Sequence, residues 1–321
     1  MIHFLKQVVL LTFSIVLCGC EPVKNIKNES DSELTAYTKI EITHALGTSI
    51  INHAPKKVIA LDMNEVDALD QLQIPVAGMP KDFVPHFLAH YKDDPLIRDL
   101  GAIVQPNIER VYALKPDLIL ITSLQANHYQ ELSKLAPTLY FDVNYFDSDV
   151  SYIEKIKAHM LMLGKIFNKQ LLANKKVAEL DSKFQRAKKQ IATRTEKAMI
   201  VLHNNGALRF FGAQSRYGFI YNALGVKSAS PSAETGSHGQ PISHEFIYKY
   251  DPDIIYVIDR TAVMENKTAI KKSDLNNPLL QQTKAWKNNR IKFVDSEAWY
   301  ITGASYTSVM IMIDDVLAGY E

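Results

Sequence analysis

The sequence predicts an α/β fold of two lobes, each a central, mainly parallel sheet with flanking helices, joined by a long backbone helix. Three observations carry this. Short β-branched runs alternate with longer helical patterns. One stretch of sequence recurs at a fixed offset, and a Pro-free segment with a single Gly separates its two copies.

VIAL (58–61), LILIT (118–122), MIVLH (199–203) and IIYVID (254–259) are the clearest strands. The first feeds a helix with Val66, Leu69 and Leu72 at three-residue steps, which ends at QIPVAG. The repeat pairs Glu109, Tyr112, Pro116 and Asp117, followed by LILI, with Glu245, Tyr248, Pro252 and Asp253, followed by IIYV; every pair lies 136 residues apart. Each copy reads as a short helix stopped by Pro, a turn at Asp and a buried strand. QLQIPVAG in the first half is answered by ALGVKSA in the second.

Between the copies, Ile153, Ile156, Met160, Leu163, Ile166 and Phe167, then Leu171, Leu172, Val177, Leu180 and Phe184, recur at three- and four-residue steps. As one helix, or as two with a break near Gly164, this segment crosses from lobe to lobe. Its Lys- and Glu-rich later half reads as a solvated face. The expected divisions are 1–19 (signal peptide), 20–36 (lipidated tether), 37–148 (N-terminal lobe), 149–197 (linking helix) and 198–321 (C-terminal lobe).

The amino end carries the address. Lys6 precedes an uncharged apolar run, VVLLTFSIVLCG (8–19), too short to span a bilayer and of the right length for a secretory signal. It ends in LCGC, which resembles a bacterial lipobox and makes Cys20 the lipidated first residue of the mature chain. The polar stretch 21–36 buries nothing and reads as a leash. Cys18 and Cys20 are the only cysteines among 321 residues, so the body is built without disulfides.

The net charge of +1, from 36 basic and 35 acidic side chains, excludes a chain-wide field for nucleic acid, so an anionic ligand has to be met by a local cluster of cations. The sequence lacks GxSxG, GxGxxG, P-loop and CxxC motifs. His86 and His90, four apart in HFLAH, have the spacing of a helical metal pair without the Glu of HExxH, and read as surface histidines. The chain reads as a binding protein and not as an enzyme.

Longer words narrow the reading. SRYGFIYNALGV (215–226), SHGQPISHEFI (237–247), PDIIYVIDR (252–260) and DSEAWY (295–300) resemble the siderophore-binding lipoproteins of ABC iron importers, a group of class III periplasmic binding proteins. ALDMNEVDALDQLQIPVAGM (60–79) and NPLLQQTKAWKN (277–288) are similar to the anguibactin and acinetobactin receptors within the subfamily that includes the petrobactin receptors. The resemblance implies an exported protein, lipid-anchored and facing the periplasm or cell exterior. It would act as a monomer, bind a ferric siderophore of catecholate or mixed catechol-hydroxamate type, and deliver it to an ABC permease driven by a cytoplasmic ATPase. No intrinsic cofactor is implied; the Fe(III)-siderophore is the ligand. Receptors for haem, cobalamin or a divalent metal are the alternatives within transport, and a lipid-anchored hydrolase the alternative outside it.

An iron(III) chelate wrapped in anionic oxygens calls for cations with planar, bidentate geometry. The resemblance puts Arg216 and Arg260 in that role, the latter at the carboxyl end of a strand, where α/β crevices form. It places Tyr300 and His238 as residues able to complete the iron coordination sphere. Petrobactin-type receptors carry a further Arg after the first-lobe strand, where this chain has Ser123-Leu124-Gln125. Leu124 is then expected against an apolar ligand face, and Gln125 as a hydrogen-bond donor. Trp299 is the candidate cleft wall, against the core burial that Trp commonly takes. Glu65 and Asp67 are the acids expected to meet the permease.

Overall fold

The computed structural model describes residues 37–142, 150–231 and 238–321. Cys20, the signal segment and the tether lie outside the described residues. Tyr37–Glu321 forms one compact unit.

The first half opens with an antiparallel hairpin, β1 (Ile40–His44) and β2 (Gly47–Ile51). Its main sheet is wholly parallel, in the order β5-β4-β3-β8-β9. Here β3 is Val58–Ala60, β4 Val76–Met79, β5 Arg98–Asp99, β8 Leu118–Ile121 and β9 Thr138–Tyr140. A small ribbon, β6 (Gly101–Ala102) with β7 (Gln105–Pro106), stands beside it. Helices α1 (Met63–Gln71), α2 (Ile108–Leu114) and α3 (Tyr129–Leu132) make the crossovers, with 3-10 turns at His86–Tyr91 and Ser123–His128.

The linking segment is two helices, α4 (Val150–Ile166) and α5 (Gln170–Ile191), folded against each other. The break falls at 167–169, where Asn168 takes a left-handed φ of 54°. Gly164 is needed for the fold-back: a Cβ there would lie 2.4 Å from the Ala173 methyl. Both helices touch both halves: α4 packs on α1 and on the second-half helix Gly218–Asn222, and α5 on the helix Tyr306–Ala318, with Lys176 Nζ donating to Gln71 Oε1 at 2.7 Å.

The second half holds a mixed sheet, β13-β11-β10-β14-β15, with β12 paired to the start of β10. Its strands are β10 (Lys197–Asn204), β11 (Ala207–Phe211), β12 (Lys227–Ser228), β13 (Gln240–Ile242), β14 (Ile254–Asp259) and β15 (Ile291–Phe293). Around it run α6 (Gly218–Asn222), α7 (His244–Tyr250), α8 (Arg260–Glu265), α9 (Lys284–Lys287), α10 (Ser296–Tyr300) and α11 (Tyr306–Ala318).

Strand alternation distributes the core. Ile59, Ile119 and Ile121 face outward under the first lobe's helices, and Met199, Val201, Ile255 and Val257 under the second's. Their alternates, Ala60, Leu120, Ile200, Leu202, Tyr256 and Ile258, join Ile156, Leu180 and Met312 in one apolar core shared by both sheets, the linking helices and α11.

Helix α1 shows what holds the halves together. Its residues from Met63 to Leu69 are all buried, polar ones included. Glu65 Oε2 lies 2.8 Å from His159 Nε2 on α4, Asn64 Oδ1 accepts from Ala304 N at 3.0 Å, and Asp67 accepts from Thr307 N (2.8 Å) and its hydroxyl (2.5 Å). The expectation that Glu65 and Asp67 meet a permease is therefore corrected. The face of α1 that reads as polar is covered by α4 and α11, and both acids are fully buried. Burial raises the Asp67 pKa, with the Thr307 hydrogen bonds opposing it.

Candidate functional site

The second sheet's inner face ends in a cavity of about 380 Å³ lined by Leu202, Asn204, Arg209, Phe211, His238, Arg260 and Tyr300. Register explains most of this set. Leu202 pairs with Arg209 and Ile200 with Phe211 across the antiparallel β10-β11 pair, so these side chains share a face. Leu202 and Ile258 are neighbours across the parallel β10-β14 pair, which puts Asn204 and Arg260, two residues on from each, at the strand ends on that face. The tight turn is made by Asn205 and Gly206, both left-handed (φ 48° and 82°), the conformation that selects Asn-Gly in hairpins.

Beneath the cavity a buried pair fixes the turn to α8. His203 Nε2 accepts from Gly206 N at 2.9 Å; that nitrogen is therefore unprotonated, and Nδ1 donates to Asp259 Oδ1 at 3.0 Å. Asp259 also caps α8 through Ala262 N and accepts from Ile270 N at 2.9 Å. Arg260, the first residue of α8, is held by the same cap.

Tyr300 is the centre of the cation cluster. Arg260 Nε donates to its hydroxyl oxygen at 2.6 Å, and Arg260 Nη1 to Asn204 Oδ1 at 3.0 Å. The Arg260 and Arg216 guanidinium carbons lie 5.4 and 5.3 Å from the Tyr300 ring centre, within cation-π range. Arg216 Nη2 donates to the Tyr300 carbonyl at 2.6 Å, a cation at the C-terminal end of α10. Arg209 Nη2 donates to Gly239 O at 2.6 Å and its Nε to His238 O, which pins the turn bearing His238. Gly239 has a φ of 71°, and a Cβ there would meet Phe210 O at 2.9 Å. No carboxylate lines the cavity among the described residues. The arrangement suits a guest carrying negative charge on planar oxygen donors, with one phenol oxygen and one exposed imidazole within the same opening.

Of the residues expected from sequence, Arg260, Tyr300 and His238 line this one cavity, and Arg216 adjoins it through Tyr300. Leu124 is 48% exposed in the 3-10 turn that follows β8. Two expectations are corrected. Gln125 is fully buried and its amide is spent within the first lobe: Oε1 accepts from Thr122 N at 3.0 Å and Nε2 donates to Ile103 O at 2.6 Å. Trp299 is no cleft wall; it is 0% exposed, with Nε1 donating to Asp315 Oδ2 at 2.8 Å. Arg209, Asn204, Leu202 and Phe211 were not singled out from sequence. The signal was there: Asn-Gly between two strand patterns fixes a hairpin, and alternation from Leu202 then selects Arg209.

His86 and His90 do not pair with each other. They lie on a 3-10 turn, where residues four apart diverge by about a third of a turn. His90 Nε2 meets Asp70 Oδ1 at 3.1 Å, and His86 turns instead to Asp295 and Glu297 of the second half.

Comparison with known proteins places this architecture. The ferric-anguibactin-binding protein FatB of Vibrio anguillarum is 56% identical over 307 residues, covering 96% of this chain and 94% of the relative. The petrobactin-binding protein YclQ of Bacillus subtilis is 34% identical over 317 residues, covering 97% and 96%. Among solved structures, the siderophore-binding protein BauB, bound to a complex of two acinetobactin molecules and ferric iron, superposes with a TM-score of 0.85 at 58% identity, covering 88% of this chain and 99% of that one. A model of the periplasmic binding protein family matches residues 58–298. The two-lobed, helix-linked α/β fold expected from sequence is thus shared with siderophore receptors, and this chain belongs to the periplasmic binding protein family.

Proposed function

We propose that this protein is an extracytoplasmic receptor that binds a ferric siderophore of catecholate or mixed catechol-hydroxamate type and hands it to an ABC permease. The observation that carries the reading is the convergence of Arg209, Arg260 and Tyr300 on one cavity with no lining carboxylate among the described residues, and with Arg216 behind the phenol. Chelate oxygens would be met by the two lining guanidinium groups, and the Tyr300 oxygen and the His238 imidazole would be the protein's donors to any open iron position. Relatives named for ferric anguibactin and petrobactin, over nearly the whole chain, favour this ligand class over haem, cobalamin or a bare metal.

Export, a lipid on Cys20 and action as a monomer complete the proposal. With Glu65 and Asp67 buried, permease docking falls to other acids. Glu109 and Glu245, the matched residues of the internal repeat, are exposed in the first turns of α2 and α7. Each helix precedes a parallel central strand, so both acids stand at the sheet ends that carry the groove. The Ser243 hydroxyl beside Glu245 holds its carboxyl below the usual range, so it stays charged.

The test is quenching of intrinsic fluorescence by ferric anguibactin, ferric acinetobactin, ferric petrobactin, haem, cobalamin and ferric chloride in parallel. Saturable quenching by a siderophore, lost in Arg260→Ala, supports the reading. Saturation by haem or cobalamin alone, or by none of the six, discards it.

A further inference from the structure

We propose that His86, Asp295 and Glu297 form a divalent-cation site, of zinc-like preference, that clamps the two halves of the molecule together beside the groove. One ligand atom from each residue lies within 4.8 Å of the others, a cluster that an ion with bonds of about 2.0–2.2 Å draws in by small side-chain movements. The ligands come from opposite halves: His86 opens the 3-10 turn of the first, and Asp295 and Glu297 start α10 of the second.

The cluster is already organised. The His86 imidazole bridges the two acids, with Nδ1 2.8 Å from Glu297 Oε2 and Nε2 3.4 Å from Asp295 Oδ2. The His86 backbone N–H donates to the same Glu297 oxygen at 2.7 Å. Asp295 spends Oδ1 on the α10 cap, accepting from Ala298 N at 3.0 Å, which leaves Oδ2 aimed at the imidazole. Such outer hydrogen bonds orient ligands in metal sites.

The charges around the cluster agree with the geometry. Among the described residues neither acid has a Lys or Arg within ion-pair distance; His86 is the partner of both. Two carboxylates two residues apart converge on one imidazole with no other described cationic side chain on either, a place that a dication fits. One imidazole nitrogen with two carboxylates is the mixed donor set of zinc-class ions, whereas calcium and magnesium take oxygen alone. The imidazole is 60% exposed, so the ion can enter, and water completes its coordination. Because Glu297 lies three residues before Tyr300 on the same short helix, the ion would fix α10 against the first half without occupying the siderophore cavity.

The test uses the chain purified without a polyhistidine tag and stripped by chelator. Cobalt(II) is the spectroscopic probe, zinc(II) its competitor, and the thermal midpoint a second readout. Wild type, His90→Ala and Tyr300→Phe are expected to give saturable visible cobalt absorption and a zinc-raised midpoint. His86→Ala and the double variant Asp295→Asn/Glu297→Gln should lose the absorption and bind zinc at least about tenfold more weakly, while keeping native circular dichroism. Equal cobalt and zinc responses in wild type and His86→Ala overturn the proposal. So does loss of the response in Tyr300→Phe, which would put the metal in the groove, or absence of saturable binding in wild type.

Discussion

The two Pro-Asp repeats fold alike at the base of their sheets and part company at the top. In the first lobe Asp117 accepts from Lys56 N and Lys57 N at 2.7 and 2.8 Å; in the second Asp253 accepts from Lys197 N at 2.8 Å. Each preceding helix has a side-chain N-cap, Asn107 or Ser243, and ends in a left-handed residue, Lys115 (φ 50°) or Asp251 (φ 41°). At the opposite ends of the central strands the lobes differ. In the first, Thr122 donates to Asp62 at 3.0 Å and Gln125 closes a capping box; in the second, Asn204 and Arg260 line a cavity. The shared base is scaffold. The first lobe's strand-end polar groups are bonded away from any opening, and the second's line a cavity.

Breaking the contrast at its strongest point, Arg260→Ala should weaken siderophore binding by about 2–5 kcal/mol, because the substitution leaves the guest's negative charge without its partner. Isothermal titration would measure this against an unchanged urea midpoint. Gln125→Ala should do the reverse, leaving affinity intact while costing about 1–3 kcal/mol of stability for the orphaned Thr122 and Ile103 backbone groups. A loss of affinity without a loss of stability there would erase the distinction between the lobes. Asp117→Ala and Asp253→Ala sharpen the likeness instead: both should cost roughly 1–3 kcal/mol in urea unfolding, Asp117→Ala the more because it orphans two backbone N–H groups against one.

The smallest effect is one of pH. Burial raises the Asp315 pKa, with hydrogen bonds from Asp295 N and Trp299 Nε1 opposing. A carboxyl whose folded pKa is raised favours folding most when protonated, and this contribution is lost as pH rises from the ordinary Asp value of 3.8 through the higher folded value. Both hydrogen bonds end on Oδ2, so an Asn carbonyl can keep them. Asp315→Asn should therefore gain on wild type steadily as pH rises through that window, in unfolding curves taken at a series of pH values. A constant difference would refute the assignment.

Much of this was legible in the sequence. Proline and aspartate fix the base of each lobe through local geometry, so the repeat could be read from letters alone. Arg260 and Tyr300 stood out because each lies in a long word shared with a known subfamily. Glu65 and Asp67 misled because nothing local records what covers a helix face; Asp67's partner, Thr307, is 240 residues away in sequence. Gln125 misled for a subtler reason, since the amide that serves a ligand also serves a capping box. HFLAH reads as surface histidines from its missing Glu, and His86 and His90 are exposed, on a 3-10 turn that points them at different partners.

The undivided apolar interior has a mechanical consequence. A hinge works where two bodies meet through a thin, wettable seam, yet here Ile156, Leu180, Leu202 and Leu120 belong to one packed interior. Swinging the halves apart would mean tearing hydrocarbon contacts and admitting solvent. Such an interior makes a rigid mould rather than a snapping trap, with the shape of the opening set before cargo arrives.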